Sequence, residues 1–154
     1  ELEYMSGSLR IYVKNNKFKE NILNNKRKDI NLKRFKNFQL KINLIKKELL
    51  EFIKIKRKQG KIIAGFGAAT KGNTLLNFCN IKSRHIKFIL ETSMHKIGKF
   101  TPSSAIPIID ENKKIKFQAL IILPWNLNKY LKNKIKKNWK VDLISLQDIV
   151  KKLK

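Results

Sequence analysis

The chain has 154 residues, with 36 Lys and Arg against 11 Asp and Glu, for a formal charge of +25 and a pI near 10.3. That length holds one ordinary domain with attachments, and 42% hydrophobic residues is a globular rather than a disordered composition. The single cysteine, Cys79, excludes a disulfide framework and a thiolate metal cluster, and no apolar run approaches the ~20 residues of a membrane span.

The charge invites a polynucleotide partner, but Lys greatly outnumbers Arg and is spread along the whole chain. A solvated lysine surface is the simpler reading, with some lysines available for phosphate, and nucleic acid is set aside as an unlikely partner. Cys79 lies among Leu75, Leu76 and Phe78, the company of a core residue rather than a nucleophile. A cytoplasmic compartment is expected, with no membrane partner.

Taken in order, Ser8 to Val13 is β-rich and reads as a strand without a neighbouring hairpin. An isolated strand leaves its backbone groups unpaired, so its sheet is expected to belong to a domain absent from this sequence. Residues 1–14 are assigned to that strand, and 15–59 to a linker and a long amphipathic helix. Within the helix Phe35, Ile42 and Leu49 recur every seven residues, as do Phe38, Ile45 and Phe52. The stripe suits a connecting helix packed on neighbouring domains, or a coiled-coil dimer. Gly60 is the expected C′ residue that ends it.

Residues 60–154 carry the pattern of a Rossmann-like α/β domain with a short, mainly parallel sheet. The apolar run Ile62-Ile63-Ala64 breaks into Gly65-Phe66-Gly67-Ala68-Ala69-Thr70-Lys71-Gly72, and a helical Asn73 to Phe78 follows. Strand, glycine turn and helix form the first half of a βαβ unit whose N–H groups and helix N-terminus suit an anion. Lys71 is unfavourable with the helix dipole by about 0.3–1 kcal/mol unless an anion offsets it. A second strand ends at Glu91, where dinucleotide folds place an acidic ribose acceptor. The loop from Thr92 to Ala105 carries Lys96, Gly98, Lys99, Thr101 and Pro102. Pro107 suits an edge strand. Phe117 to Leu123 is a third buried strand that runs into Pro124-Trp125-Asn126. There Trp125 either fills the core or packs on a base or sugar ring, and Asn126 either caps a helix or binds hydroxyls. A Lys-rich helix, a strand at Val141–Ile144 and a short helix capped by Ser145 and Asp148 close the chain. His85 and His95 lack partners at metal-ligand spacing, and no catalytic triad is visible.

The glycine pattern Gly65-x-Gly67-x-x-Thr70 lacks the third glycine of a dinucleotide fingerprint, and Gly72 falls two positions late. An NAD-binding reductase module and a basic nucleic-acid module therefore stay open beside a third possibility. GAATKGNTLLNFC, ETSMHKIGKFTPSSAIPI and LPWN, in that order, resemble the C-terminal domain of the S-adenosylmethionine (SAM)-dependent sugar C-methyltransferases. The matching positions are Gly67, Ala68, Ala69, Lys71, Gly72, Asn73, Thr74, Leu75, Leu76 and Asn77. Lys96, Gly98, Lys99, Thr101, Pro102, Trp125 and Asn126 match further on, and Gly7 to Val13 resembles the strand that closes the family's SAM-binding domain. The sequence departs from the family at Met5-Ser6-Gly7-Ser8, usually His-Gly-Gly-Ser, and at Thr101-Pro102-Ser103-Ser104-Ala105, often Thr-Pro-Gly-Thr-His.

The resemblance implies a nucleotide-linked sugar as ligand and a SAM-binding domain as partner. Gly67, Ala68, Lys71, Gly72, Asn73, Glu91, Lys96, Lys99, Thr101, Trp125 and Asn126 are the candidate substrate-binding residues, and no catalytic residue is assigned. The cofactor SAM, a possible structural zinc and the acid/base residues are expected in parent domains that would precede Glu1.

Overall fold

A computed structural model describes residues 32–152, so the strand expected at Ser8–Val13 and the linker through Asp29 lie outside the described residues. The chain divides into two units, Glu1–Leu40 and Lys41–Lys154. The first helix, α1, runs Leu32–Lys58. Phe35 and Phe38 of the expected stripe fall in the first unit. In the second unit Leu49 and Ile53 are buried, and Ile45 and Phe52 pack against the same core. This half of the stripe packs within the α/β domain.

Gly60 ends α1 as its pattern predicts. It takes φ +69°, and its N–H reaches the Arg57 carbonyl at 2.9 Å while the Lys61 N–H reaches Lys56 at 3.0 Å. This pair of bonds is the Schellman arrangement, which satisfies carbonyls the helix would otherwise leave open.

Then follow β1 (Ile63–Phe66), α2 (Thr70–Phe78), β2 (Phe88–Glu91), β3 (Ile108–Asp110) and β4 (Ala119–Ile122). A 3-10 turn, Trp125–Leu127, leads into α3 (Asn128–Asn138), and β5 (Asp142–Ser145) and α4 (Leu146–Lys152) complete the domain. The five strands form one wholly parallel sheet in the order β3-β2-β1-β4-β5. This is the α/β Rossmann-like fold, and β3, with Pro107 just before it, is an edge strand as expected.

Alternation along the strands builds two cores. Ile63, Ile89, Ala119 and Ile121 face α1, α2 and α4, together with Leu49, Leu76 and Ile149. Ala64, Phe66, Phe88, Leu90, Leu120 and Ile122 face α3 through Leu131 and Ile135. Both faces of a parallel sheet need cover, so its strands read as unbroken apolar runs. Cys79 is buried in the first core, and burial pushes its thiol up to about 11 while Lys46 pulls it the other way. That thiol stays protonated and unreactive.

Gly72 has a packing role. A Cβ there would sit 2.5 Å from the Cβ of Leu123, so α2 reaches β4's end only because the residue is glycine. It does the work of the third glycine of a dinucleotide fingerprint from a position two residues later. At the far end, Ser145 and Asp148 form the expected reciprocal cap. The Ser145 N–H donates to the Asp148 carboxylate at 3.0 Å, and the Asp148 N–H donates to the Ser145 hydroxyl at 3.3 Å.

Candidate functional site: a cavity at the carboxyl edge of the sheet

In an open parallel sheet the loops leaving the carboxyl ends of the strands form the ligand face. Here β1, β2 and β4 deliver the glycine turn, Glu91 and Pro124-Trp125-Asn126 to that edge. The β2–β3 connection, residues 92–107, contains no helix. The sheet face beside α2 is therefore covered by a loop, and a cavity of about 390 Å³ remains beneath it. Its floor is Leu76, Ile89, Ile108 and Leu123, its wall is Ala68 to Thr70 with Asn73, and Lys96 and Lys99 to Pro102 close it.

The glycine turn differs from its expected form. The Gly67 N–H donates to the Leu90 carbonyl at 2.8 Å, and the Ala69 N–H donates to Gly67 at 2.8 Å. The Ala68 N–H donates to Glu91 Oε2 at 2.8 Å. The turn's own donors are thus engaged internally, and Gly67, at φ +82°, leaves no room for a Cβ against Pro124 Cγ, 2.7 Å away. What stays open lies one step on. The α2 N-terminus has no side-chain cap, and Lys71 sits in a first turn that holds no acidic residue.

Glu91 is 7% exposed and accepts from every side. Oε1 receives the N–H groups of Thr92 (2.8 Å) and Ser93 (3.1 Å), and Oε2 faces Lys96 Nζ at 3.5 Å besides Ala68. Burial alone would raise its pKa, but the Ser93, Thr92 and Ala68 N–H groups and the Lys96 charge outweigh that and hold it below the usual carboxylate value. The carboxylate ties the glycine turn to the β2 loop, and its lone pairs are already taken.

Of the sequence-derived site residues, Ala68, Asn73, Lys96, Lys99 and Thr101 line the cavity, while Gly67, Lys71, Gly72, Glu91, Trp125 and Asn126 do not. Asn73 Oδ1 is buried without a hydrogen-bond partner, an acceptor left over in the cavity wall. Thr101 is buried and builds the loop: its hydroxyl lies 2.6 Å from that of Ser104 and accepts the Ile106 N–H at 2.9 Å. Ser103 and Ala105 both take left-handed backbone, φ +61° and +50°. Trp125 is half-buried against the first core, and Asn126 caps nothing, since α3 starts without a side-chain cap. Asn126 instead borders a separate shallow groove with Leu127, Lys129, Tyr130 and Asn133.

A family model for the C-methyltransferase C-terminal domain matches residues 4–145. The chain belongs to that family. It is also 34% identical over 74 residues to the C-methyltransferase NovU of Streptomyces niveus, a match covering 48% of this chain and 18% of that protein.

Family membership turns the three sequence blocks into one structural statement: the glycine turn, the Lys96–Pro102 loop and Pro124-Trp125-Asn126 all leave the carboxyl edge of one sheet. The last of them supports the first mechanically, because Pro124 fills the space beside Gly67. The apolar floor was not singled out from the sequence. Its signal is the strand alternation that places Ile89 on the α2 face, together with the absence of a helical pattern between Thr92 and Pro107. Among the described residues no group of three or more His, Cys, Asp or Glu could hold a metal ion, and no helix is long and apolar enough to cross a membrane.

Proposed function

We propose that this domain binds the nucleotide-linked sugar in a SAM-dependent C-methyltransferase and helps close the active site over it. The observation that carries this reading is the cavity wall, where the uncapped start of α2 lies beside the unpartnered Asn73 Oδ1, with Lys96 and Lys99 on the facing loop. Helix N–H groups and lysines suit phosphate oxygens, an orphan amide oxygen suits a hydroxyl or ring N–H, and the apolar floor suits a ring. Methyl transfer from SAM supplies the chemistry, with the acceptor carbon activated by a base outside this domain. The domain's own contribution is to orient the acceptor and exclude water.

SAM itself does not fit here. A ribose diol at the end of β2 needs a carboxylate with free lone pairs, and those of Glu91 are filled by Ala68, Thr92 and Ser93. The same point weighs against NAD, whose adenosine ribose would need that carboxylate too.

Calorimetric titration with nucleoside diphosphate-sugars tests the proposal. Saturable binding is expected, weakened about tenfold or more by Asn73→Leu or by Lys96→Ala with Lys99→Ala. Absence of heat at millimolar ligand, or variants indistinguishable from the parent, would refute it. A fragment carrying the SAM-binding domain should regain methyl transfer only when this chain is added.

A further inference from the structure

A second concavity lies at the opposite edge of the sheet. The last turns of α1 lead into the amino end of β1, and the turn Lys82–His85 leads into the amino end of β2. Between them is a groove of about 470 Å³ lined by Leu50, Ile53, Lys54, Arg57, Lys58 and His85. No carboxylate lines it among the described residues. The nearest on α1, Glu51, is paired with Lys54 at 3.9 Å. Basic residues in the final turn of α1 complement its dipole, which accounts for Arg57 and Lys58 alone. It does not account for His85, which a different segment brings into the groove, with Arg84 beside it.

The imidazole of His85 sharpens the point. Its Nδ1 accepts the Lys82 N–H at 3.0 Å, so in the neutral ring the proton sits on Nε2. Yet Nε2 lies 3.4 Å from Arg84 Nε, which also carries a proton. Arg84 is thus held beside the imidazole that lines the groove. His85 is held below its ordinary pKa by partial burial and by the charges of Arg84 and Arg57. Lys82, on the same turn, is engaged elsewhere, with its Nζ on the Ser103 carbonyl at 2.6 Å.

We propose that this groove binds a phosphate-type oxyanion, held by Arg57, Arg84, Lys58 and the His85 Nε2–H. An oxyanion accepts from these donors and offsets the positive charge of a groove whose lining holds Arg57, Lys58 and His85 and no carboxylate. The site is separate from the carboxyl-edge cavity and does not depend on the nucleotide-sugar reading.

The chain has two histidines, which makes the test direct. The imidazole resonances of His85 and His95 are followed by NMR as inorganic phosphate is titrated at constant ionic strength, with chloride as the reference salt. His85 should shift along a saturable curve in the millimolar range that is unchanged when Lys96 and Lys99 are replaced by Ala, and the His85 pKa should rise in phosphate. Arg57→Gln and Arg84→Gln, both at exposed positions, should each weaken the curve at least threefold. A second arm with glycerol phosphate separates the sources: equal affinity points to free phosphate, and tighter binding to a phosphate ester. A non-saturating response, a His85 curve lost in the Lys96→Ala, Lys99→Ala variant, or unchanged curves in both arginine variants would overturn the proposal.

Discussion

Replacing Glu91 by Gln exchanges one acceptor oxygen for an NH₂ group while keeping the side chain's shape. Whichever way the amide turns, a donor then faces either the Ala68 N–H or the paired N–H groups of Thr92 and Ser93. The charge that Lys96 approaches at 3.5 Å is also lost, although Lys96 is half-exposed and that contribution is small. A charge-assisted hydrogen bond contributes about 1.5–3 kcal/mol, and Ala68 and Ser93 are open enough for water to recover part of it, so a loss of about 2 kcal/mol is expected. For a domain of this size that lowers Tm by about 8 °C. The pH dependence has a definite sign. The folded-state pKa of Glu91 lies below its unfolded value, so its stabilisation is complete above the unfolded carboxylate pKa and fades as pH falls through the folded one. Thermal and urea unfolding of parent and variant at pH 7, and again down to pH 3, provide the assay. The variant should be less stable at neutral pH and show a shallower acid decline. Equal midpoints at pH 7 would refute the view that this carboxylate fastens the glycine turn to the β2 loop.

Other outcomes follow from the packing. Gly72→Ala gains about 1 kcal/mol of helix propensity but drives a Cβ to 2.5 Å from Leu123, and overpacking costs about 1–3 kcal/mol, so a net loss of stability is expected by denaturant titration. Ser103→Gly relieves a left-handed backbone at an exposed position and should raise stability by up to about 1 kcal/mol, read as an increase in Tm. Lys71→Glu places a negative charge in the first turn of α2 and should stabilise the ligand-free protein by about 0.3–1 kcal/mol at low salt, an increase that fades as salt is added.

Much of the architecture was readable residue by residue. Gly60 announced the end of α1 because few other residues accept that backbone geometry without strain, and Ser145 with Asp148 announced α4 through a local cap. The alternating apolar runs gave the strands, since a parallel sheet buried on both faces admits little else. The site was less legible, because its decisive contacts join segments far apart in the chain. Glu91 was correctly placed at the end of β2, but its engagement by Ala68 depends on how closely β1 and β2 lie, which spacing along the sequence does not reveal. Lys71 was grouped with Lys96 and Lys99, yet only the last two line the cavity, because one residue's step of about 100° past Thr70 turns Lys71 off its wall. Thr101 lines the cavity and also builds the loop, its hydroxyl bonded to Ser104 and to the Ile106 N–H. Ser103, where the family often has Gly, takes the left-handed backbone that glycine adopts without strain.

The strand order also bears on how the domain is made. β1 lies at the centre of the sheet, and its partners are β2 on one side and β4 on the other, with Ile63 aligned to Ala119. During synthesis β1, β2 and β3 leave the ribosome before β4, so one hydrogen-bonding edge of the central strand stays open until about residue 120 has emerged. Long-range parallel pairing of this kind is slow to form, because a long loop must close before any contact compensates for it. Until then the Ile63–Phe66 edge is an apolar template for another chain. Expression at lower temperature, where synthesis and collapse are better matched, should therefore increase the soluble yield of this domain.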